Sequence, residues 1–178
     1  VVLKHSFCRI CAGIFGLATE LLKKNRPNIK RFTSSGFIDD LARGDTCVTI
    51  GFGGDLNIAR RRAEEAGGKE KIRVMMPKEG VGIWVDSFVI PKDAKNVANA
   101  HKYINDFLDP EVAARNGNFV TYAPSSKPAR ELMEAEFRDD RTIFPSDEDL
   151  KNSFIMVPIQ PTILKFMVRQ WQGVKAGK

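Results

Sequence analysis

Two short segments of the chain place an aromatic side chain close to a carboxylate. In GFGGD, residues 51–55, Phe52 and Asp55 flank a pair of glycines, and in IWVD, residues 83–86, Trp84 and Asp86 are two positions apart. The face of an aromatic ring attracts a cation, and a carboxylate forms charge-assisted hydrogen bonds with an ammonium group. These two segments therefore predict a site that holds a small organic cation.

Each carboxylate also has an ordinary structural interpretation. Asp55 directly precedes a predicted helix that begins at Leu56, where it can cap the first turn and complement the helix dipole. Asp86 lies in an apolar run in which strand alternation puts it on the same face as Trp84. A carboxylate inside such a strand requires a cationic partner, and that partner is either a Lys or Arg of the chain or a ligand.

A third aromatic residue, Tyr122, ends a short predicted strand, Phe119–Tyr122. A tyrosine at a strand end usually belongs to the core with its hydroxyl in water, and Tyr122 becomes a candidate only beside the other two aromatic residues. The predicted ligand-binding residues are Phe52, Asp55, Trp84, Asp86 and Tyr122.

The inventory of catalytic side chains is short. The two histidines, His5 and His101, are far apart in sequence, and no G-x-S-x-G, phosphate-loop or H-E-x-x-H motif occurs. The side chains of the acidic pairs at 39–40 and 139–140 diverge on a helix or a strand, so neither pair suits general acid–base catalysis. We therefore predict a protein that is not an enzyme and needs neither a cofactor nor a metal.

The three cysteines leave one alternative open. Cys8 and Cys11 form a C-x-x-C pair with His5 close by, and Cys47 stands apart from them. An odd count fits neither a complete disulfide framework nor a four-ligand zinc site. A redox or metal module through Cys8 and Cys11 is therefore kept as an alternative to cation binding.

The elements that must position these residues alternate between helices and short strands. Hydrophobic periodicity and end signals predict eight helices: Gly16–Lys24, Phe37 to Gly44, Leu56–Ala66, Asn96–Leu108, Pro110–Gly117, two short helices after Ser126 and Ser146, and one from Pro161 onward. The predicted caps are Ser34-Ser35 for the second helix, Asp109 for the fifth, and Ser126 and Ser146 for the two short helices, with Ser146 in a capping box with Asp149. The predicted strands are Cys47–Ile50, Ile72–Met76, Gly82–Ile90 and Phe119–Tyr122. This alternation predicts an α/β layered fold, in which ligands bind beyond the carboxyl ends of the strands.

Composition and charge exclude several classes of protein. The 178 residues are 43% hydrophobic, which is enough for a core, and no apolar run approaches the roughly 20 residues that span a bilayer. The net charge is +6, but the basic run 60–62 is followed at once by acids at 64–65, which indicates a solvated helix face and no nucleic-acid partner. A basic chain opposes a cationic ligand, although screening over about 8 Å limits that effect.

The segment IGFGGD, residues 50–55, resembles the polyamine-binding periplasmic proteins, which are the spermidine/putrescine receptors of ABC importers. The preceding RPNIKRFTSSGFIDDLARGD and the following MPKEGVGIWVDSFVIPKDAKN share the resemblance. It continues through HKYINDFLDPEVAARNGNFVTYAPSSKPA and IFPSDEDLKNSF, and it covers roughly Leu17 to Lys178. The resemblance implies a partial type II periplasmic-binding-protein-like fold, mostly the second of two lobes.

The resemblance also implies roles for the five candidate residues. In this family aromatic side chains stack on the methylene chain of the ligand, and carboxylates capture its amino groups. The strand-end aromatic residue, often Trp, falls on Phe52, and the carboxylate after it falls on Asp55. The later aromatic–x–Asp pair falls on Trp84 and Asp86, and the cleft tyrosine falls on Tyr122.

The function implied by the resemblance is that of the solute-binding component of a polyamine importer. Such a protein is periplasmic, binds putrescine or spermidine, passes it to a membrane permease, and is monomeric when intact. The same fold binding another cationic amine or an amino acid stays open as an alternative.

The resemblance further implies how the chain divides. Residues 1–16 are atypical, residues 17–85 belong to the second lobe, residues 86–120 belong to the first lobe, and residues 121–178 return to the second lobe with a C-terminal helix. Family chains are longer, so the first half, with its ligand contacts and secretory signal, is expected to lie outside this sequence. Cys47 falls where some relatives carry a cysteine bonded to one in that half.

Overall fold

A computed structural model of the chain describes residues 2–68 and 71–177, with side chains from residue 13 onward. The described part forms two compact units: unit 1 comprises Val1–Thr33 and Val157–Lys178, and unit 2 comprises Ser34–Met156. The lobe boundaries inferred from the resemblance stay a prediction. The described elements are helices α1 Val2–Asn25, α2 Phe37–Ala42, α3 Gly53–Glu65, α4 Val97–Phe107, α5 Pro110–Val120, α6 Lys127–Leu132, α7 Ala135–Arg138, α8 Asp147–Leu150 and α9 Pro161–Lys175, a 3-10 turn at Arg26–Asn28, and strands β1 Gly82–Ile83 and β2 Phe154–Ile155.

Unit 1 is built on the packing of α1 against α9. Helix α9 begins at Pro161, as predicted. Helix α1 ends at Asn25, one residue later than predicted, and it starts earlier than its periodicity indicated. Val174 is buried between the two helices, and the ring of Phe32 meets Trp171 edge to face with centroids 4.6 Å apart. Within the described ranges, no helix has both the length and the apolar character needed to cross a membrane.

Two apolar clusters hold the helices of unit 2 together. In the first, α2 packs against α3 through the buried side chains of Phe37, Leu41 and Ala59. Helix α2 is confirmed, but the cap predicted at residues 34–35 is wrong, since Gly36 holds the cap position without a side-chain bond. The second cluster brings together α5, α6, α7 and the turn after α7: Ala113, Ala114, Ala129, Met133, Phe137 and Ile143.

The sheet is smaller than the sequence predicts. Gly82–Ile83 and Phe154–Ile155 pair as parallel strands, with Gly82 opposite Phe154. The strands predicted over Cys47–Ile50 and Ile72–Met76 are wrong, and the strand predicted over Gly82–Ile90 is confirmed only for its first two residues. Strand propensity describes residues that suit a sheet, but a strand forms only where a neighbouring strand pairs with it.

The strand predicted at Phe119–Tyr122 and the helix end predicted at Gly117 are also wrong. Helix α5 continues to Val120, and Thr121 ends it in the left-handed conformation with φ 55°. Gly117 is buried inside the helix because Met133 packs over it, and an added Cβ would come within 3.1 Å of the Met133 methyl carbon. This glycine therefore serves the packing of α5 and not its termination.

Two predicted helix caps are confirmed. The carboxylate of Asp109 accepts hydrogen bonds from the backbone N–H groups two and three positions later, at 2.9 and 3.2 Å. Ser146 and Asp149 form a reciprocal capping box at the start of α8. A hydrogen bond from Arg141, followed by those from Ser146, lowers the pKa of Asp149 to about 2.

A part-buried polar network fixes α3 to the turn that follows α7. The amide of Asn57, whose side chain is 1% exposed, donates to the Thr142 hydroxyl at 2.9 Å. That hydroxyl donates to Asp140 at 2.7 Å, and Arg60 donates to the other oxygen of Asp140 at 2.8 Å. Burial alone would raise the pKa of Asp140, but the hydrogen bonds from Arg60 and Thr142 outweigh it and lower the pKa.

We predict that Asp140→Ala destabilises the protein by about 2 kcal/mol near neutral pH, because Arg60 and Thr142 lose a charged acceptor. Since the pKa of Asp140 is lowered in the folded state, its contribution is present above the unfolded value of about 4 and is lost as the pH falls through the folded value. Urea unfolding at about pH 7 and about pH 3 measures both effects.

The matched variant Asp139→Ala removes a carboxylate from an exposed pair with Arg138 and should change stability much less. An Asp140→Ala effect that is equal at both pH values would contradict this account.

A second prediction concerns the start of α5. Asp109→Ala removes the acceptor of two N–H groups and should lower the free energy of unfolding by about 1 kcal/mol. Asp109→Asn keeps a capping oxygen and should stay close to the parent protein. Chemical denaturation of the three proteins gives the comparison, and equal losses in both variants would mean that charge, and not capping, is the contribution of Asp109.

Candidate ligand-binding site

Asp55 lies in the first turn of α3. The helix begins at Gly53, Phe52 holds the N-cap position with extended backbone (φ −73°, ψ 140°), and Asp55 is the third helical residue. The prediction that Asp55 is the N-cap is therefore wrong, because Gly53 and Gly54 join the helix instead of preceding it. The carboxylate nevertheless lies at the positive end of the helix dipole, where negative charge is favoured.

Gly54 determines how closely Tyr122 approaches α3. Gly54 is buried, and a Cβ added there would overlap the Tyr122 ring. The buried hydroxyl of Thr121 donates to the carbonyl of Gly54 at 2.8 Å, which holds the end of α5 against the start of α3. The close approach that the glycine pair allows is thus made at Gly54 by a tyrosine of the chain.

Tyr122 and Asp55 form a direct hydrogen bond. The phenol hydroxyl donates to Oδ1 of Asp55 at 3.1 Å. Burial of the ring, followed by the charge and the hydrogen bond of Asp55, raises the pKa of Tyr122 to about 12. The negative charge of Asp86 raises it further, so Asp86 lies near enough to act on the same hydroxyl. The structure therefore pairs Asp55 directly with Tyr122, whereas Asp86 acts on the hydroxyl only through its charge.

Phe52 and Trp84 meet at the start of α3. Their ring centroids are 5.2 Å apart and the ring planes are inclined by 68°, which is a favourable edge-to-face arrangement. Phe52 is 45% exposed and Trp84 is 41% exposed, so the pair retains uncovered ring surface. The two sequence segments that each supplied an aromatic residue and a carboxylate are thus neighbours in space.

Asp86 is exposed, which corrects its predicted place inside an apolar strand. Strand β1 ends at Ile83, so the alternation that was expected to bury Asp86 beside Trp84 does not extend to it. Asp55 is the more buried of the two carboxylates.

Neither candidate carboxylate is neutralised by a cation of the described part of the chain. No Lys or Arg nitrogen among those residues comes within 4.0 Å of a carboxylate oxygen of Asp55 or Asp86. Asp140, in contrast, pairs with Arg60. The arrangement can therefore accept positive charge from outside the chain.

The charge of the protein is divided unevenly between the two units. Unit 1 carries 11 Lys and Arg against one acidic residue, whereas unit 2 carries 17 against 21, a net charge of −4. All five candidate residues belong to unit 2. The overall charge of +6 therefore does not describe the unit that contains the candidate site.

The cysteine alternative gains no support from the described residues. The side chains of His5, Cys8 and Cys11 lie outside the described part of the structure, and Cys47 is an exposed free thiol. Among the described side chains, no three His, Cys, Asp or Glu residues are grouped so that they could hold a metal ion.

Sequence reasoning found the polar and aromatic residues of the site but not the residues that position them. Gly54 and Thr121 bring Tyr122 to the start of α3. The sequence analysis placed Thr121 in a strand and gave Gly54 no role. The signal in the sequence was the glycine pair itself, which indicates close approach without saying what approaches. The hydroxyl bond of Thr121 has no local sequence signature.

Known proteins resemble this chain over most of its length. Residues 13–145 match the family described as bacterial extracellular solute-binding protein. The chain is 41% identical over 163 residues to the putrescine-binding periplasmic protein PotF of Escherichia coli (strain K12), covering 92% of this chain and 44% of PotF. It is 37% identical over 161 residues to the putrescine-binding periplasmic protein SpuD of Pseudomonas aeruginosa (strain UCBPP-PA14), covering 90% and 44%.

Solved structures give the same result. The spermidine/putrescine ABC transporter substrate-binding protein PotD of Streptococcus pneumoniae superposes with a TM-score of 0.68 at 27% identity, covering 89% of this chain and 47% of PotD. The chain thus spans less than half the length of these relatives. The superposition confirms the predicted partial α/β fold of the periplasmic-binding-protein type. On the match over residues 13–145 and the identity to PotF, the chain belongs to the family of bacterial extracellular solute-binding proteins.

Proposed function

We propose that this chain is part of a periplasmic receptor that binds a polyamine, putrescine or spermidine, and delivers it to the membrane permease of an ABC importer. The receptor acts by binding and release, with no chemical step, and is monomeric when intact. Phe52, Asp55, Trp84, Asp86 and Tyr122 are the proposed ligand-binding residues.

One observation carries this proposal: Asp55, which accepts the hydrogen bond of the Tyr122 hydroxyl at 3.1 Å, and Asp86, whose charge acts on the same hydroxyl, both lack a cationic partner in the described chain. The carboxylate of Asp55 is half-buried, which is unfavourable without a cationic partner, and an ammonium group of a ligand would supply the missing charge. The exposed rings of Phe52 and Trp84, 5.2 Å apart, offer an apolar and cation-attracting wall for the methylene chain and its amine.

The relatives support the choice of ligand and compartment. PotF and SpuD are both named as putrescine-binding periplasmic proteins, and PotD is named as a spermidine/putrescine transporter component. Because the chain covers under half of each, the proposal concerns the complete receptor, to which this chain contributes one part of the site.

The test uses a chimera in which this chain replaces the matched region of PotF. Calorimetric titration with putrescine and spermidine should give saturable binding to the chimera, with intact PotF as the positive control. A folded chimera that releases or absorbs no heat of binding with either polyamine would overturn the proposal.

Charge removal in the chimera tests the site residues. We predict that Asp55→Asn and Asp86→Asn each weaken polyamine binding about tenfold or more, since each removes a charge-assisted hydrogen bond. Asp55→Asn should have the larger effect because its surroundings are more buried. The matched variant Asp106→Asn removes one exposed carboxylate of α4 and should change affinity less than about twofold. Equal affinity in all three variants would refute the assignment.

The electrostatic state of the site can also be measured without ligand. Tyr103→Phe leaves Tyr122 as the one tyrosine, and its ionisation, followed by ultraviolet absorbance, should have a pKa of about 12. Asp55→Asn removes a charge and an acceptor, so the pKa should fall toward the ordinary value of about 10. Because the folded pKa is raised, the stabilisation is present below about pH 10 and is lost as the pH rises toward 12. A pKa unchanged by Asp55→Asn would contradict the hydrogen bond.

A further inference from the structure

Helix α9 of unit 1 exposes a stripe of apolar side chains. Leu164, Val168 and Trp171 are 47%, 49% and 38% exposed, and their spacing of four and three residues places them on one face of the helix. Together with Leu22 of α1, which is 39% exposed, they line one open groove of about 310 Å³. Apolar surface of both helices is therefore accessible along this groove.

The exposed face of α9 is also basic. Lys165 and Arg169 directly follow the first two residues of the apolar stripe, and the ammonium group of Lys175 lies 5.9 Å from the centre of the Trp171 ring. The three cationic side chains are exposed, and α9 contains no acidic residue. Within the described ranges, no carboxylate oxygen lies within 4.0 Å of their nitrogen atoms. This face therefore combines apolar side chains with positive charge that the described chain does not neutralise.

The sequence of unit 1 as a whole favours an anionic partner. The unit carries 11 Lys and Arg against one acidic residue, Glu20. That acid is already engaged, because Lys23 pairs with it at 2.9 Å. A surface with so strong an excess of one sign attracts partners of the opposite sign.

The apolar stripe distinguishes among anionic partners. A nucleic acid or an acidic polypeptide meets the positive charge but has no need of exposed Leu and Val side chains beside it. Helices that lie in the surface of an anionic bilayer combine Lys and Arg, which reach the phosphates, with Trp and Leu, which enter the boundary of the acyl chains. Tryptophan is enriched at this level of the membrane. The exposed face of α9 has this combination.

We propose that unit 1 binds the surface of a bilayer that contains anionic phospholipids. Helix α9 lies in the plane of the surface, with Leu164, Val168 and Trp171 in the headgroup–acyl boundary and Lys165 and Arg169 on the lipid phosphates. This proposal does not depend on the identity of the ligand. In the proposed receptor, the contact holds the chain at the membrane in which its permease lies.

The first experiment compares two kinds of vesicle and uses the whole wild-type chain. One kind contains phosphatidylcholine and phosphatidylglycerol at about two to one, and the other contains phosphatidylcholine alone. In flotation assays the chain should bind the anionic vesicles at least about tenfold more tightly, since each Lys and Arg at the surface adds to the attraction. Raising the salt from about 0.05 to about 0.5 M should reduce this difference, because salt screens the charges.

The fluorescence of Trp171 reports whether α9 is the part that enters the membrane. Trp84→Phe leaves Trp171 as the one tryptophan of the chain. Its emission should shift to shorter wavelength when anionic vesicles are added, because the ring leaves water. Lipids brominated on their acyl chains should quench it, whereas a tryptophan that stays outside the membrane would be unaffected.

Charge variants test the contribution of the cations of α9. The double variant Lys165→Gln with Arg169→Gln should bind anionic vesicles about tenfold or more weakly. The matched double variant Lys71→Gln with Arg73→Gln removes one exposed Lys and one exposed Arg of unit 2 and should stay within about twofold.

An apolar variant tests the stripe. Leu164→Ser should weaken binding to anionic vesicles at least about fivefold, because less apolar surface enters the acyl boundary. The matched variant Leu132→Ser changes a leucine of α6 in unit 2 that is 54% exposed, and it should stay within about twofold. An unchanged urea midpoint shows that each variant retains its fold.

Five results would overturn the proposal. These are equal affinity for the two kinds of vesicle or none for either, emission of Trp171 that vesicles do not change, equal losses in the two double variants, binding of polyglutamate without binding of vesicles, and self-association that Leu164→Ser abolishes. The fourth would identify an acidic polypeptide as the partner, and the fifth a second copy of the chain. The vesicle comparison uses no variant, so it decides the question even if a variant unfolds. No experiment here measures polyamine binding, so failure of the proposed receptor function leaves these results unchanged.

Discussion

The contact between Gly54 and Tyr122 is the constraint on which the candidate site depends. The ring occupies the space that a side chain at residue 54 would need, and the Thr121 hydroxyl holds the Gly54 carbonyl at 2.8 Å. These contacts fix the end of α5 to the first turn of α3. They place the phenol beside Asp55 without help from a long-range strand pairing. The Asp55–Tyr122 pair therefore does not depend on a complete sheet, because its geometry is set by two helix ends.

The division of charge explains how a basic protein can offer a site for a cation. Unit 2 has a net charge of −4 although the chain is at +6, and salt screens exposed charges over about 8 Å. The field at the site is therefore governed by nearby carboxylates and not by the total charge. The cations of unit 2 are also partly engaged, as Arg60 is with Asp140 at 2.8 Å. Net charge was a poor guide here because it averages over a chain whose two units differ in sign.

Helices were predictable because their signals are local, whereas strands were not. The cap at Asp109, the capping box at Ser146 and the helix start at Pro161 rest on a few neighbouring residues, and all three are confirmed. The strands at Cys47–Ile50 and Ile72–Met76 needed partners that no local pattern supplies. The prediction that Asp86 is buried was wrong for the same reason.

The expectation that Asp86 lies buried followed from an alternation that ends at Ile83. The identity of the five candidate residues followed from residue type and family resemblance, but their mutual distances depended on the packing of α5 against α3. Sequence therefore indicated which residues are chemically suited to the site, and only the structure indicated which of them meet.

The hydrogen-bond donor to Asp55 is a neutral phenol, and for this reason the carboxylate keeps its negative charge. A Lys or Arg in place of Tyr122 would orient the carboxylate equally well, but it would also neutralise it, as Arg60 does for Asp140. A phenol whose pKa is about 12 stays protonated at neutral pH, so it donates a hydrogen bond and leaves the negative charge of Asp55 in place. It occupies Oδ1, which leaves the second oxygen of Asp55 for another donor. In the proposed receptor the carboxylate is thereby held in position before a cation arrives, and preorganisation of this kind lowers the entropic cost of binding.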